Sequence, residues 1–181
     1  MKKQKRVLVG VTGSIACYKA LEIIRGLRKK NISIEVVLTK EAEEFIKPVL
    51  FQALSGNRVL THDLFVMPEE WAIDHVALAE RIDLLAIVPA TANIIAKAAA
   101  GICDDMLSCA ICTTKTPILF APAMNSNMYD HKVTQDNIKR LKALGYYFTG
   151  PIKGKLACGD EGIGHIQEVD KIIEEVIRLL R

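Results

Sequence analysis

No apolar stretch of this 181-residue sequence approaches the roughly 20 residues that a membrane-spanning helix needs. No membrane partner is therefore expected. The basic start, "MKKQKR", leads only into the short run "VLVGV", which is too brief for the apolar core of a signal peptide. A dominant charge is missing as well. The formal net charge is +3, and the lysines and arginines are spread along the chain, which argues against a nucleic-acid partner. The five cysteines are odd in number and have no framework spacing, in a chain long enough to close a core without staples. A reducing cytoplasm is the expected location. Cys109 and Cys112 form a CxxC, but it lies within a helical pattern and lacks a second pair or clustered histidines, so no metal site is expected. Cys17 and Cys103 read as small core residues.

What remains is an ordinary globular balance, half apolar and a quarter charged, in a length that fits one domain over residues 1–181. Short apolar runs alternate with helical patterns, as in a parallel sheet wrapped by helices. "RVLVGV" (6–11) reads as a strand buried on both faces. "SIACYKALEIIRGLRKK" (14–30) reads as a helix with a basic end. "ISIEVVLT" (32–39), "DLLAIVPA" (83–90) and "TPILFAPA" (116–123) read as further strands, and "NIIAKAAAGI" as a helix. "TQDNIKRLKALG" (134–145) predicts a helix stopped by Gly145, "YYFTG" a fifth strand, and "VDKIIEEVIRLLR" a closing helix. Residues 151–167, with Pro151 and four glycines, are expected to form a long binding loop or flap.

In such a sheet, ligands bind beyond the carboxyl ends of the strands, where the strand order reverses. That rule singles out the loops after Val11, Leu38, Val88 and Phe120. In "GVTGSIA" (10–16), Gly13 permits close backbone approach and Ser14 can cap a helix whose N–H groups suit a phosphate; a plain strand–helix turn is equally consistent. The dinucleotide and P-loop patterns both fail here. Thr39 reads as a helix cap or as a hydroxyl beside the same ligand. "PATANII" (89–95) offers Thr91 and Asn93, which can read a polar planar ring or simply cap a helix. "PAMNSNMYDH" (122–131) puts amides and thioethers at a strand mouth. His75 begins a helix with Asp74 as candidate N-cap, where the dipole favours neutral imidazole. Cys158 sits in the glycine-rich segment beside Lys153 and Lys155, the setting of an acid or nucleophile.

Four stretches, "GSIACYK", "HVALAERIDLLAIVPATANIIAKAAAGICDD", "PAMNSNMY" and "LACGDEGIGH", resemble the homo-oligomeric flavin-containing cysteine decarboxylases. The likeness runs through almost the whole chain in order. It implies a flavodoxin-like, Rossmann-like α/β/α fold, with FMN at a subunit interface in a trimer or a dodecamer of trimers. Carried over by motif, FMN contacts Gly13, Ser14, Ile15, Thr39, Thr91, Ala92, Asn93, Ile94 and Ala123. Asn125 holds a substrate carboxylate and Met128 lies against the ligands. His75 arrives from a neighbouring subunit. Cys158 donates a proton from a flap lined by Lys155, Leu156 and Ala157.

Within that family the cysteine of "ACGD" favours members that decarboxylate phosphopantothenoylcysteine to phosphopantetheine in coenzyme A biosynthesis. Oxidation of the substrate thiol to a thioaldehyde gives the departing carboxyl its electron sink, and the enethiolate left behind is then reduced. Peptidyl-cysteine decarboxylases, which stop at the enethiol, are the alternative, as is a flavin-binding regulatory subunit without turnover. A phosphopantothenate–cysteine ligase, fused or separate, is an implied partner. Tyr129 departs from a frequent Trp, and His165–Ile166 from a common Arg-Met pair.

Overall fold

A computed structural model of the chain describes residues 4–62, 74–155, 157, 159 and 161–181, the side chains of 74–77 excepted. The chain alternates strands and helices. It runs β1 (Arg6–Val11), a 3-10 turn (Ile15–Cys17), α1 (Tyr18–Lys29), β2 (Ser33–Leu38), α2 (Lys40–Phe45), α3 (Pro48–Ser55) and β3 (Val59–Leu60). It continues with α4 (Asp74–Arg81), β4 (Leu84–Ala90), α5 (Ala92–Ala100), α6 (Met106–Thr113) and β5 (Ile118–Pro122). Last come α7 (Ser126–Asp130), α8 (Lys132–Ala143), β6 (Tyr147–Phe148), β7 (Ile152–Lys155), β8 (Glu161–His165) and α9 (Val169–Leu179).

β1 to β6 form one sheet in the order β3-β2-β1-β4-β5-β6, and every pair is parallel. This is the doubly wound order. Setting aside the two-residue edge strand β3, it is the five-stranded flavodoxin-like arrangement. The near-continuous Val, Ile and Leu runs of the strands have a physical cause, since parallel sheets are covered on both faces. Alternate residues serve opposite cores. Val7, Val9, Val11, Ile34, Val36 and Leu38 pack with α1, α3 and α9 on one face. Leu8, Leu85, Ile87 and Phe120 pack with α4, α5, α6 and α8 on the other.

Strand order reverses between β2 and β4 on either side of β1, so the crevice opens beyond Val11 and Ala90. Thr12, just past β1, is buried; its hydroxyl donates to the Pro89 carbonyl at 2.7 Å and accepts from the Thr91 N–H at 3.2 Å. Those bonds tie the two sides of the switch point together.

Two expectations are corrected. Residues 151–167 are not a long irregular loop: β7 and β8 pair antiparallel from Ile152–His165 to Lys155–Glu161. Glycine, read as a loop signal, here allows close packing. A Cβ on Gly164 would stand 2.2 Å from the Met124 carbonyl oxygen, and the Met124 N–H donates to the Gly164 carbonyl at 3.1 Å. The hairpin is thereby docked against the "PAMN" segment. Cys103 is the second correction. It is exposed, because it sits in the α5–α6 connection after the left-handed Gly101 cap, not on either core face. Cys17 is buried as expected.

Candidate functional site

Several helices begin at the same rim, and the hydroxyls and amide marked in the sequence cap them. Ser14 accepts from the Ala16 N–H at 3.3 Å, Thr39 from the Ala42 N–H at 3.3 Å, and Thr91 from the Ile94 N–H at 3.4 Å. Asn125 accepts from the Asn127 N–H at 2.8 Å. The first turns of α1 and α5 carry no acidic residue, so the positive ends of their dipoles remain available to an anion. α2 differs, with Glu41 and Glu43 in its first turn. Gly13 proves necessary for an unforeseen reason. A Cβ there would lie 2.3 Å from the Glu41 Cβ, so the first loop can pass α2 only without a side chain.

Two pockets, the lobes of the site, open along this rim. The larger, about 580 Å³, is lined by Ser14, Ile15, Tyr18, Lys19, Asn125 and Lys155, with Ala123, Ala157 and His165 among its other walls. Carboxylates are absent from that lining among the described residues. The smaller, about 250 Å³, is lined by Thr12, Gly13, Thr39, Thr91, Asn93 and Asp105, with Ile94 and Met128 beside them. Ile15 is 62% and Met128 49% exposed, apolar surface that a bound ring or a second chain would cover.

Behind the smaller lobe, Asp105 caps α6, accepting from the Ser108 N–H at 2.7 Å. Lys97 holds both neighbouring carboxylates, reaching Asp104 at 2.7 Å and Asp105 at 2.9 Å. The hydrogen bond from Lys97 holds the Asp104 carboxyl below its usual range.

The described residues thus place Ser14, Ile15, Ala123, Asn125, Lys155 and Ala157 on the larger lobe and Gly13, Thr39, Thr91, Asn93, Ile94 and Met128 on the smaller, with Ala92 as the first residue of α5. His75 lies in the first turn of α4. Leu156 and Cys158 fall outside the described residues. Thr12, Lys19 and Asp105 were missed by sequence reasoning. Thr12 precedes the loop glycine as one more small polar residue, and nothing in the local pattern says that it bridges two strands.

Capped helix starts at the switch point of a parallel sheet, beside an apolar lobe, define an α/β protein built to hold a nucleotide-like cofactor. The chain belongs to the Flavoprotein family, whose model matches residues 1–181. The coenzyme A biosynthesis bifunctional protein CoaBC of Haemophilus influenzae is 43% identical over 168 residues, 93% of this chain and 42% of that protein. The chain therefore spans less than half of the curated relative it matches. A PPC decarboxylase cysteine-to-serine mutant complexed with pantothenoylaminoethenethiol superposes with TM-score 0.85 and 28% identity, covering 97% of this chain and 98% of that one. The FMN-dependent cysteine decarboxylase SpaF gives TM-score 0.83 and 30% identity, covering 98% of each chain. The donor set fits a flavin mononucleotide: uncountered helix starts for the phosphate, Thr91 and Asn93 for the polar ring edge, and apolar walls for the ring faces.

Proposed function

We propose that this chain is an FMN-dependent decarboxylase that converts phosphopantothenoylcysteine to phosphopantetheine. The observation that carries the reading is the docking of the β7–β8 hairpin, the arm that bears the "ACGD" segment, directly onto the "PAMN" loop beside the flavin-type cleft. The likeness to a PPC decarboxylase along the whole chain supports the same substrate class.

Bound FMN would supply a two-electron redox couple beside the substrate's thiol-bearing carbon. The protein's own residues do the rest. Ser14, Ile15, Thr39 and the start of α5 from Thr91 to Ile94, with Gly13 and Ala123, hold the cofactor. Asn125, fixed by its cap bond, presents its amide to the substrate carboxylate, and Met128 packs against both ligands. Lys155, Leu156 and Ala157 close over the substrate and exclude water, which strengthens every polar contact inside. Cys158 delivers a proton to the product carbon. Lys19 and Lys155 bring positive charge to a lobe that receives an anionic substrate.

The unit of function is an oligomer, a trimer or a dodecamer of trimers, in which His75 serves a neighbouring copy's cleft. Two observations support this. α4 packs through Leu78 on one face of the sheet, whereas α1, which lends Tyr18 and Lys19 to the larger lobe, packs on the other. Ile15 and Tyr18 are exposed beside that lobe and need covering. The reaction belongs in the cytoplasm, and a phosphopantothenate–cysteine ligase, on the same chain or separate, supplies the substrate. Among the described residues, no helix is long and apolar enough to cross a membrane.

The likeness to SpaF, an FMN-dependent cysteine decarboxylase, leaves a second reading for this chain, decarboxylation of a peptide's C-terminal cysteine. One experiment separates the two. Purified protein is given phosphopantothenoylcysteine or a peptide ending in cysteine, and products are resolved by mass. The proposal predicts CO2 and phosphopantetheine from the first, and Cys158→Ser still releasing CO2 while accumulating an oxidised product. Phosphopantetheine formed normally by that variant removes Cys158 from the mechanism. Turnover of the peptide alone replaces the substrate.

A further inference from the structure

Three thiols gather where α5 passes into α6, and none of them lines either lobe of the cleft. Cys103 lies in the connection and is exposed, as is Cys112 on α6, while Cys109 is half-buried. Cys109 and Cys112 are three residues apart on one helix and share a face. The Cys103 sulfur stands 3.8 Å from the Gly101 carbonyl and 3.9 Å from the Ser108 carbonyl. In an α-helix the Ser108 carbonyl is the one that accepts from the N–H of residue 112, so Cys103 rests against the turn carrying Cys112. Cys103 therefore lies beside the two helix thiols, and after burial it is the next cause that raises both of them. The arrangement brings three oxidisable groups to one end of α6.

We propose that Cys103 and Cys112 form a reversible oxidation site, closed to an intrachain disulfide by hydroperoxides. Exposed Cys103 reacts first. Its thiolate attacks a peroxide oxygen, the O–O bond breaks, and a sulfenic acid and water (or an alcohol) result. The Cys112 sulfur then attacks the sulfenic sulfur. The S–S bond forms, the S–O bond breaks, and the leaving hydroxide takes the Cys112 proton as a second water. Two thiols have given up two electrons and two protons, and the hydroperoxide has accepted them.

Burial pushes the Cys112 thiol up to about 11, and burial likewise raises Cys109. Cys112 is therefore protonated at neutral pH and brings to the second step the proton that leaves as water. The bond ties the α5–α6 connection to α6 just ahead of Asp104 and Asp105, the carboxylates that Lys97 holds. It therefore braces the wall of the smaller lobe.

The test uses the purified flavin-loaded protein, hydrogen peroxide as the probe, iodoacetamide to cap remaining thiols, and fragment-ion mapping of tryptic peptide 98–115. All three cysteines lie in that peptide. The proposal predicts a peptide about 2 Da lighter than its reduced form before capping is counted. It should carry one alkyl group, at Cys109, and revert with dithiothreitol. Cys109→Ser should still bridge, and Cys112→Ser should not. Full alkylation of all three after peroxide, bridging retained in Cys112→Ser, or Cys103 carried on to sulfinic acid in the wild type would each overturn it. Cys158 falls in a different peptide, so its own oxidation does not confuse the reading.

Discussion

Replacing Thr12 by valine removes one hydroxyl and almost no volume, at the point where β1 and β4 are joined across the switch point. The Pro89 carbonyl loses a donor at 2.7 Å and the Thr91 N–H an acceptor at 3.2 Å, at a residue only 2% exposed. A buried polar group left unpaired costs about 1–3 kcal/mol. With the Thr91 bond only part-buried, the two losses together come to about 2–4 kcal/mol. Against a total stability of about 5–15 kcal/mol for a domain, that is a large fraction. Urea unfolding of the flavin-free protein should show a lower midpoint with an unchanged slope, because the surface exposed on unfolding is the same. Thr12→Ser keeps the hydroxyl and should recover most of the loss. Flavin affinity should fall in the valine variant as well, since Thr91 caps the helix start that faces the cofactor. A Thr12→Val midpoint equal to wild type would refute the reasoning, and equal losses in the serine and valine variants would assign the effect to packing instead.

Other outcomes follow from the same geometry. Gly13→Ala drives a Cβ into the Glu41 side-chain root; overpacking of this kind costs about 1–3 kcal/mol, read as a lower melting temperature and weaker flavin retention. Gly164→Ala forces the hairpin off the Met124 carbonyl, so kcat should drop and the Met124 amide should exchange faster in hydrogen-exchange measurements. Asn125→Asp keeps an oxygen for the Asn127 N–H but sets a like charge against the substrate carboxylate, so KM should rise by at least about tenfold with stability unchanged. Lys97→Met tests the acid side. Lys97 lowers the Asp104 carboxyl from its ordinary 3.8, so its contribution is full above that value and is lost as pH falls through the lower, folded one. The variant should lose less stability than wild type between about pH 5 and pH 2. The difference should stay under about 1 kcal/mol, because Asp104 is largely exposed.

The parallel sheet was legible because its signal is local and redundant. "RVLVGV" and "DLLAIVPA" are apolar on both faces, and each is followed by a helix-capping hydroxyl. Those caps were readable for the same reason, since Ser14, Thr39 and Thr91 act within two or three residues of themselves. What stayed hidden depends on distant partners. β3 is two residues long and exists only because β2 offers it an edge. The glycines of "KGK" and "EGIGH" look like loop residues until Met124, roughly forty positions away, explains why Gly164 lacks a side chain. Cys103 read as core because a small thiol beside apolar residues usually is, and only the left-handed turn at Gly101 carries it outward. The rule that ligands bind beyond the carboxyl ends of the strands brought the loops of Gly13, Thr91 and Asn125 to one rim, whereas what each residue holds there came from resemblance, as no spacing rule assigns it.

Every role proposed above requires a flavin site at the carboxyl ends of β1, β4 and β5. Flavin-stripped protein titrated with FMN, followed by quenching of the flavin's fluorescence, measures it most directly. Saturation at one FMN per chain, with weaker binding in Gly13→Ala and in Thr12→Val, is the predicted result. Fluorescence that stays that of free FMN at every protein concentration would contradict it.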